Sequence, residues 1–409
     1  MTRRQLLSLA AASSARGEVP QIEKSEVFKA GTSGYSTYRI PGLVVTSRGS
    51  ILAYCEARKN PKGDWGAIDI MLRRGTDGGK SWSPQRIIAS VAGPHHKNPV
   101  ALAQKLATEG EVTYNNPVAI ADRQRGVVHF VFCIEYMRAF YMRSDDDGQT
   151  FSAPREITPA FEPFRREYDW KVLATGPGHG IQLSNGRLVI PVWLSLGTGG
   201  HAHRPSVAAT IFSDDQGTTW QRGEIALPNR GEWNIPNETA AVELSDGSVM
   251  LNARSESAAN RRLITVSKDG ATGWSTPQFH PQLMEPICMG SMVRYSTRKF
   301  GGKDRLLFAN PDNLERTGAI AEPGKPRDRK NVTVKLSYDE GKTWPVSRAV
   351  EPGYSGYSDL AVLTNGSILL LYEKAADGAK AFQPDSLTLA KFPLAWLTNG
   401  ADVSKKVAR

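Results

Sequence analysis

The sequence predicts an all-β chain closed into a six-bladed β-propeller. One turn phrase recurs at a near-constant period, short strand-like runs flank each copy, and long amphipathic helices are nearly absent. The phrase occupies Gly75–Trp82, Ser144–Phe151, Ser213–Trp220, Ser267–Trp274 and Ser337–Trp344, with starts 69, 69, 54 and 70 residues apart. Such a period means that one supersecondary unit is reused around an array. About 370 residues at roughly 60 to 70 per unit make about six units, and antiparallel sheets of about four strands close radially into a propeller.

Each unit is legible in order. An apolar run of strand type leads into the phrase, as at Ala209–Phe212 and Val332–Leu336. Asp then accepts local backbone N–H bonds and Gly takes positive φ, which together make a tight turn. A terminal Trp or Phe plugs the start of the next strand. Hairpins follow at Leu183–Ile190, Leu244–Val249 and Leu363–Ile368, each turning on Asn-Gly or Asp-Gly. The fourth phrase has lost its Gly and Thr positions, a change confined to a turn. Pro94–Thr108 is the best helical stretch, and the polar segment Glu322–Lys330 reads as a loop.

Composition bounds the function. The chain has 409 residues, and the array makes them one domain over 35–400, with a lead-in at 16–34. Three widely spaced cysteines, Cys55, Cys133 and Cys288, argue against a disulfide framework and against a zinc site, and read as buried thiols. The net charge of +10 comes without a run of five basic residues, so it describes a solvated surface that suits an anionic substrate rather than nucleic acid. Arg3 and Arg4, ahead of a short apolar stretch and a small-residue site at Ser13–Ala15, read as a twin-arginine-like export signal over 1–15. No stretch approaches the ~20 apolar residues of a membrane span.

Chemistry is sought in charged residues set within strand-like text. Arg39 lies in Tyr-Arg-Ile-Pro, Arg58 ends Glu-Ala-Arg, Arg254 closes Asn-Ala-Arg and Arg329 precedes a strand. A single arginine of this kind is ordinarily a surface residue. Four at comparable places in different units can meet at the propeller axis around one anion. Asp64 in a Gly/Pro-punctuated loop, Glu238 in Asn-Glu, Tyr357 in Tyr-Ser-Asp-Leu and Glu373 at the end of an apolar run complete the set. His201 and His203 sit beside Gly197–Gly200, where no carboxylate or Cys stands at ligand spacing, so a mobile rim loop is the reading rather than a metal site.

In this ordered set the sequence resembles the bacterial and animal exo-sialidase (neuraminidase) family, over about Tyr35 to Leu397. The turn phrases match its Asp-boxes, which lie away from the active site. The resemblance implies that Arg39, Arg254 and Arg329 form a carboxylate-binding triad, with Arg58 as an accessory arginine. It implies Asp64 as acid/base, Glu238 and Tyr357 as the nucleophile pair, and Glu373 as the carboxylate that orients Arg39. Cys288-Met289-Gly290-Ser291 departs from the family's Cys-Gln-x-Ser phrase, which bears on substrate preference.

These residue types suit a sugar whose anomeric carbon carries a carboxylate. Arginines clamp a carboxylate in fixed bidentate geometry. A neutral tyrosine avoids the repulsion that a carboxylate nucleophile would meet. The expectation is a monomeric, exported, retaining exo-α-sialidase acting on sialylated glycans without cofactor or metal. A sialic-acid-binding lectin, or a relative preferring a deaminated sugar or releasing an anhydro product, is the alternative.

Overall fold

The structure, a computed structural model, describes residues 21–61, 63–123, 126–300 and 302–403. The export signal expected over 1–15 lies outside the described residues. The chain forms six antiparallel blades, each written here from the inner strand outward. The first comprises Thr37–Val45, Ile51–Arg58, Ile68–Gly75 and Arg86–Ile87, and the second Tyr114–Ala121, Val128–Ile134, Arg138–Ser144 and Arg155–Glu156. In the third, the inner strand is broken into Val172–Thr175 and Ile181–Gln182, followed by Leu188–Ser195, Ser206–Ser213 and Gln221–Leu227. The fourth is Thr239–Glu243, Val249–Ala253, Arg261–Ser267 and Gln278–Met284.

One long strand, Val346–Val362, serves two blades. Up to Tyr354 it is the outer strand of the fifth, beside Ser291–Ser296, Arg305–Pro311 and Lys330–Ser337. From Ser355 it is the inner strand of the sixth, beside Ile368–Ala375 and Pro384–Phe392. The sixth blade is completed by Glu23–Lys29 from the other end of the chain, paired antiparallel from Glu23↔Lys391 to Lys29↔Ser386. That closure explains five phrases in six blades. The phrase joins third and outer strands, and in the sixth blade those two are not consecutive in sequence.

Second strands are buried on both faces because blades pack face to face. All eight residues of Ile51–Arg58, all seven of Val128–Ile134 and all eight of Leu188–Ser195 are buried. In the first two blades the outer strands, Arg86–Ile87 and Arg155–Glu156, are only two residues long, which blunts the sheet edge there.

The turn phrase performs the local chemistry expected of it. Asp215 Oδ1 accepts from Thr219 N at 2.8 Å and Ser213 Oγ at 2.8 Å, and Oδ2 accepts from Thr219 Oγ1 at 2.7 Å. Asp146 and Asp339 make the same bonds to Thr150 and Thr343. In the fourth phrase the turn is one residue tighter: Asp269 Oδ1 takes Thr272 N at 2.8 Å, and Gly270 rather than a fifth-position glycine donates to Ser267 Oγ. The phrase glycines also face the preceding blade. A Cβ on Gly148 would meet Leu52, one on Gly217 would meet Tyr141 and one on Gly341 would meet Met250.

Pro99–Ala103 forms a helix inside the expected stretch, capped by Asn98, whose Oδ1 accepts from Val100 N at 2.9 Å. The loop expected to run to Lys330 stops one residue earlier, because Lys330 pairs with Tyr354 and opens a strand. All three cysteines are buried and free, and burial pushes the Cys133 and Cys288 thiols up to about 12. Among the described residues, no helix is long and apolar enough to cross a membrane.

Gly217 combines φ +83° with a Cβ position 2.4 Å from Tyr141 Oη. Gly217→Ala is therefore expected to lose about 2 kcal/mol or more by urea denaturation, from left-handed strain plus overpacking. Gly247→Ala has the same backbone sign, φ +86°, but open space around it, and is expected to lose only about 1 kcal/mol.

Candidate active site

Inner strands and the loops beside them gather the eight predicted residues into one polar cluster near the axis. Tyr357 is its centre. Its hydroxyl donates to Glu238 Oε1 at 2.5 Å and accepts from Arg254 Nη1 at 2.7 Å, and the same nitrogen donates to Glu238 Oε2 at 2.5 Å. The guanidinium of Arg39 lies 5.4 Å from the Tyr357 ring centroid and that of Arg329 lies 4.9 Å from it. Three arginines from the first, fourth and fifth blades therefore surround one tyrosine of the sixth, whereas Arg58, expected in a unit of its own, shares the first blade with Arg39.

Glu373 is fully buried and ties two of these groups together. Its Oε1 accepts from Arg39 Nε at 2.9 Å and Ile40 N at 3.2 Å, while Oε2 accepts from Arg39 Nη2 at 3.3 Å and Tyr357 N at 3.1 Å. The backbone there is strained. Ile40 is β-branched, sits at φ +58° and lies in a bulge between Arg39 and Gly42, a cost that persists only where surroundings over-determine it. Arg329 is steadied by a bond from Nη2 to Ile287 O at 3.3 Å.

Asp64 lies on the first-blade side. Arg58, 1% exposed, donates from Nη1 to Asp64 Oδ1 at 2.9 Å and to Gly63 O at 2.6 Å, while Nε and Nη2 grip Glu56 Oε2 at 3.0 and 2.6 Å. Glu56 carries no assigned role in the Glu-Ala-Arg motif, yet it is the main anchor of Arg58. The signal was present, since residues two apart on a strand share a face. His203, expected only on a rim loop, faces the site: its Nδ1 lies 4.0 Å from Asp64 Oδ2, a pairing across 139 positions that no local pattern encodes. Beside Gly197–Gly200, Ser195 Oγ donates to Ala202 O at 3.0 Å and Arg204 bonds Glu256 at 2.8 Å.

Charges follow from this packing. Burial opposes ionisation of Asp64, but Arg58, His203 and Arg39 outweigh it and hold the carboxyl below the usual range. Its side chain keeps 42% of its surface, so water screens these attractions. Burial, more than the carboxylate of Glu238, pushes the Tyr357 phenol well above its usual value, against the pull of Arg254 and Arg329. Burial pushes His203 down to about 4, against the pull of Asp64 and Glu238, with His201 and Arg254 adding to the drop. Met289, the departure noted in sequence, is 2% exposed and packs with Ile40, Cys288 and Tyr357 in a small apolar cluster. Among the described residues, no group of three His, Cys, Asp or Glu side chains is arranged to hold a metal ion.

The sequence pattern of the BNR repeat-like domain matches residues 103–370. The chain belongs to that family. Its relatives are sialidases. A sialidase of Micromonospora viridifaciens is 29% identical over 93% of this chain and 55% of its own length, and one of Bacteroides fragilis is 29% identical over 85% and 61%. The solved structure of a Hadza microbial sialidase superposes with a TM-score of 0.71 at 28% identity, over 91% of this chain and 69% of that one. The chain thus falls in the sialidase family and spans less than two thirds of the length of those two curated relatives.

A His held neutral by burial costs stability as acid charges it in the unfolded chain first. With His203 near 4 and an unfolded value of about 6.5, its contribution is complete above about pH 6.5 and is lost as pH falls to about 4. His129, also pushed to about 4 by burial, adds to the same window. Urea denaturation is expected to show this slope, and His203→Phe to flatten part of it; an unaltered slope would contradict a neutral His203 ring.

Proposed function

We propose that the chain is a retaining exo-α-sialidase that hydrolyses terminal sialic acids from glycans. The observation that carries this reading is the Tyr357–Glu238–Arg254 unit, in which one phenol meets a carboxylate base at 2.5 Å and a guanidinium at 2.7 Å. A binding protein would need the arginines, but nothing in carboxylate recognition needs a base on a tyrosine.

The substrate carboxylate is taken by Arg39, Arg254 and Arg329, whose planar forks match it better than lysines would. At rest Tyr357 stays protonated, since burial raises its pKa. During attack Glu238 removes the proton, and Arg254 and Arg329 stabilise the phenolate character that develops. Asp64 protonates the departing glycosidic oxygen and then activates water. In the free protein Arg58 and Arg39 hold Asp64 ionised at neutral pH. A bound carboxylate cancels positive charge, including that of Arg39, so Asp64 gains proton affinity when substrate arrives. Two displacements at one carbon retain the anomeric configuration.

A fluorogenic aryl sialoside is expected to be cleaved with net retention, read by NMR of the first-formed anomer. Tyr357→Phe is expected to lower kcat at least about a hundredfold while a sialic acid analogue still binds in calorimetry. Equal turnover by the variant would remove the nucleophile assignment. Arg254→Lys is expected to raise KM and lower kcat together, because the same guanidinium reaches both Tyr357 and Glu238.

A further inference from the structure

His203 faces Asp64 and has no part in the scheme above. Arg58 Nη1 holds Asp64 Oδ1 at 2.9 Å, and Asp64 Oδ2 is the oxygen turned toward His203 Nδ1, 4.0 Å away. That gap is too wide for a direct hydrogen bond. It is the span that a single oxygen atom bridges when it lies about 2.8 Å from both groups.

The imidazole is set rigidly for such a role. Its ring centroid lies 4.8 Å from that of Tyr136, 5.1 Å from Trp193 and 6.0 Å from Trp65, and those three rings are buried. Nε2 is buried and finds no hydrogen-bond partner among the described residues. A proton on Nε2 would be a buried, unsatisfied donor, which is costly. The favourable tautomer carries its proton on Nδ1, toward Asp64.

We propose that His203 is a further catalytic residue, whose Nδ1–H donates to the oxygen that Asp64 protonates on departure and to the water oxygen that Asp64 deprotonates on return. This rests on the sialidase reading. In the first step the bond from the anomeric carbon to Tyr357 Oη forms and the glycosidic bond breaks. The Tyr357 proton passes to Glu238, and the Asp64 proton passes to the leaving oxygen. In the second step water attacks that carbon and gives a proton to Asp64, the bond to Tyr357 breaks, and Glu238 returns its proton to the phenol. His203 keeps its own proton throughout. It lowers the cost of negative charge on the oxygen in both steps and aims the water.

The test compares two leaving groups in the full chain. Sialyllactose expels an alkoxide that needs the proton, whereas a 4-nitrophenyl sialoside expels a stable phenolate that hardly does. His203→Phe keeps a ring among the aromatic neighbours but has no donor. It is expected to lose at least about tenfold more in kcat/KM on sialyllactose than on the aryl sialoside, within the range of single acid–base contributions. His203→Asn, which places an amide N–H where Nδ1 stood, is expected to restore that ratio toward the wild-type value. A purely structural role would lower both substrates alike, so an unchanged ratio in His203→Phe overturns the proposal. Failure of His203→Asn to move the ratio back, with both variants folded by circular dichroism, overturns it too. Wild-type protein that cleaves neither substrate instead removes the sialidase reading itself.

Discussion

The structure depends on a fully buried carboxylate, that of Asp359, at the point where inner strands converge. Its Oδ2 accepts from Leu43 N of the first blade at 2.7 Å, and its Oδ1 from Ser291 Oγ of the fifth at 2.7 Å and His179 Nδ1 at 2.7 Å. His179 belongs to the short segment Gly178–His179, which interrupts the third blade's inner strand and pairs in parallel with Val118–Ala119 of the second. One sixth-blade side chain therefore joins strands from around the ring. Burying a carboxylate without such partners would cost several kcal/mol. Its charge also keeps the His179 proton affinity above the ordinary value although burial opposes this. Two residues before Asp359 stands Tyr357, so the tie that closes the ring also positions the centre of the site.

Around that centre, the arginines are prepared by their own carboxylates. Arg39 is held by Glu373, Arg58 by Glu56 and Arg254 by Glu238. Behind them Arg262 and Glu285 form a wholly buried pair at 2.5 Å, and Glu285 also accepts from Cys288 N at 2.8 Å, which fixes the backbone beside Arg329's partner Ile287. Such pairs are weak contributors to stability once desolvation is counted, and their value lies in geometry. Each guanidinium is already oriented, so little is spent on ordering it when an anion arrives.

The repeated turn phrase is the counterpart of this site in the fold. Its aspartates bond their own turn, and its glycines let the turn approach the preceding blade, as Gly148 approaches Leu52. The sixth blade has no such turn to make, because its outer strand Glu23–Lys29 arrives from the other chain end.

Whatever depends on near neighbours is encoded locally in the chain. The Asp215–Thr219 turn, the hairpins at Asn185-Gly186 and Asn365-Gly366 and the unit period are all encoded within a few residues, because turn chemistry is local. The eight candidate residues could be named from sequence as well, some as charges or a phenol within strand text and Asp64 within a loop, with the family resemblance joining them into one set. What those residues touch is set by the closed ring. Tyr357 meets Glu238 across 119 positions and Arg39 meets Glu373 across 334. His203 reaches Asp64, and Asp359 gathers Leu43, Ser291 and His179. Those contacts exist because ring closure brings the inner strands to one axis, and no local pattern records which side chains the closed ring sets face to face.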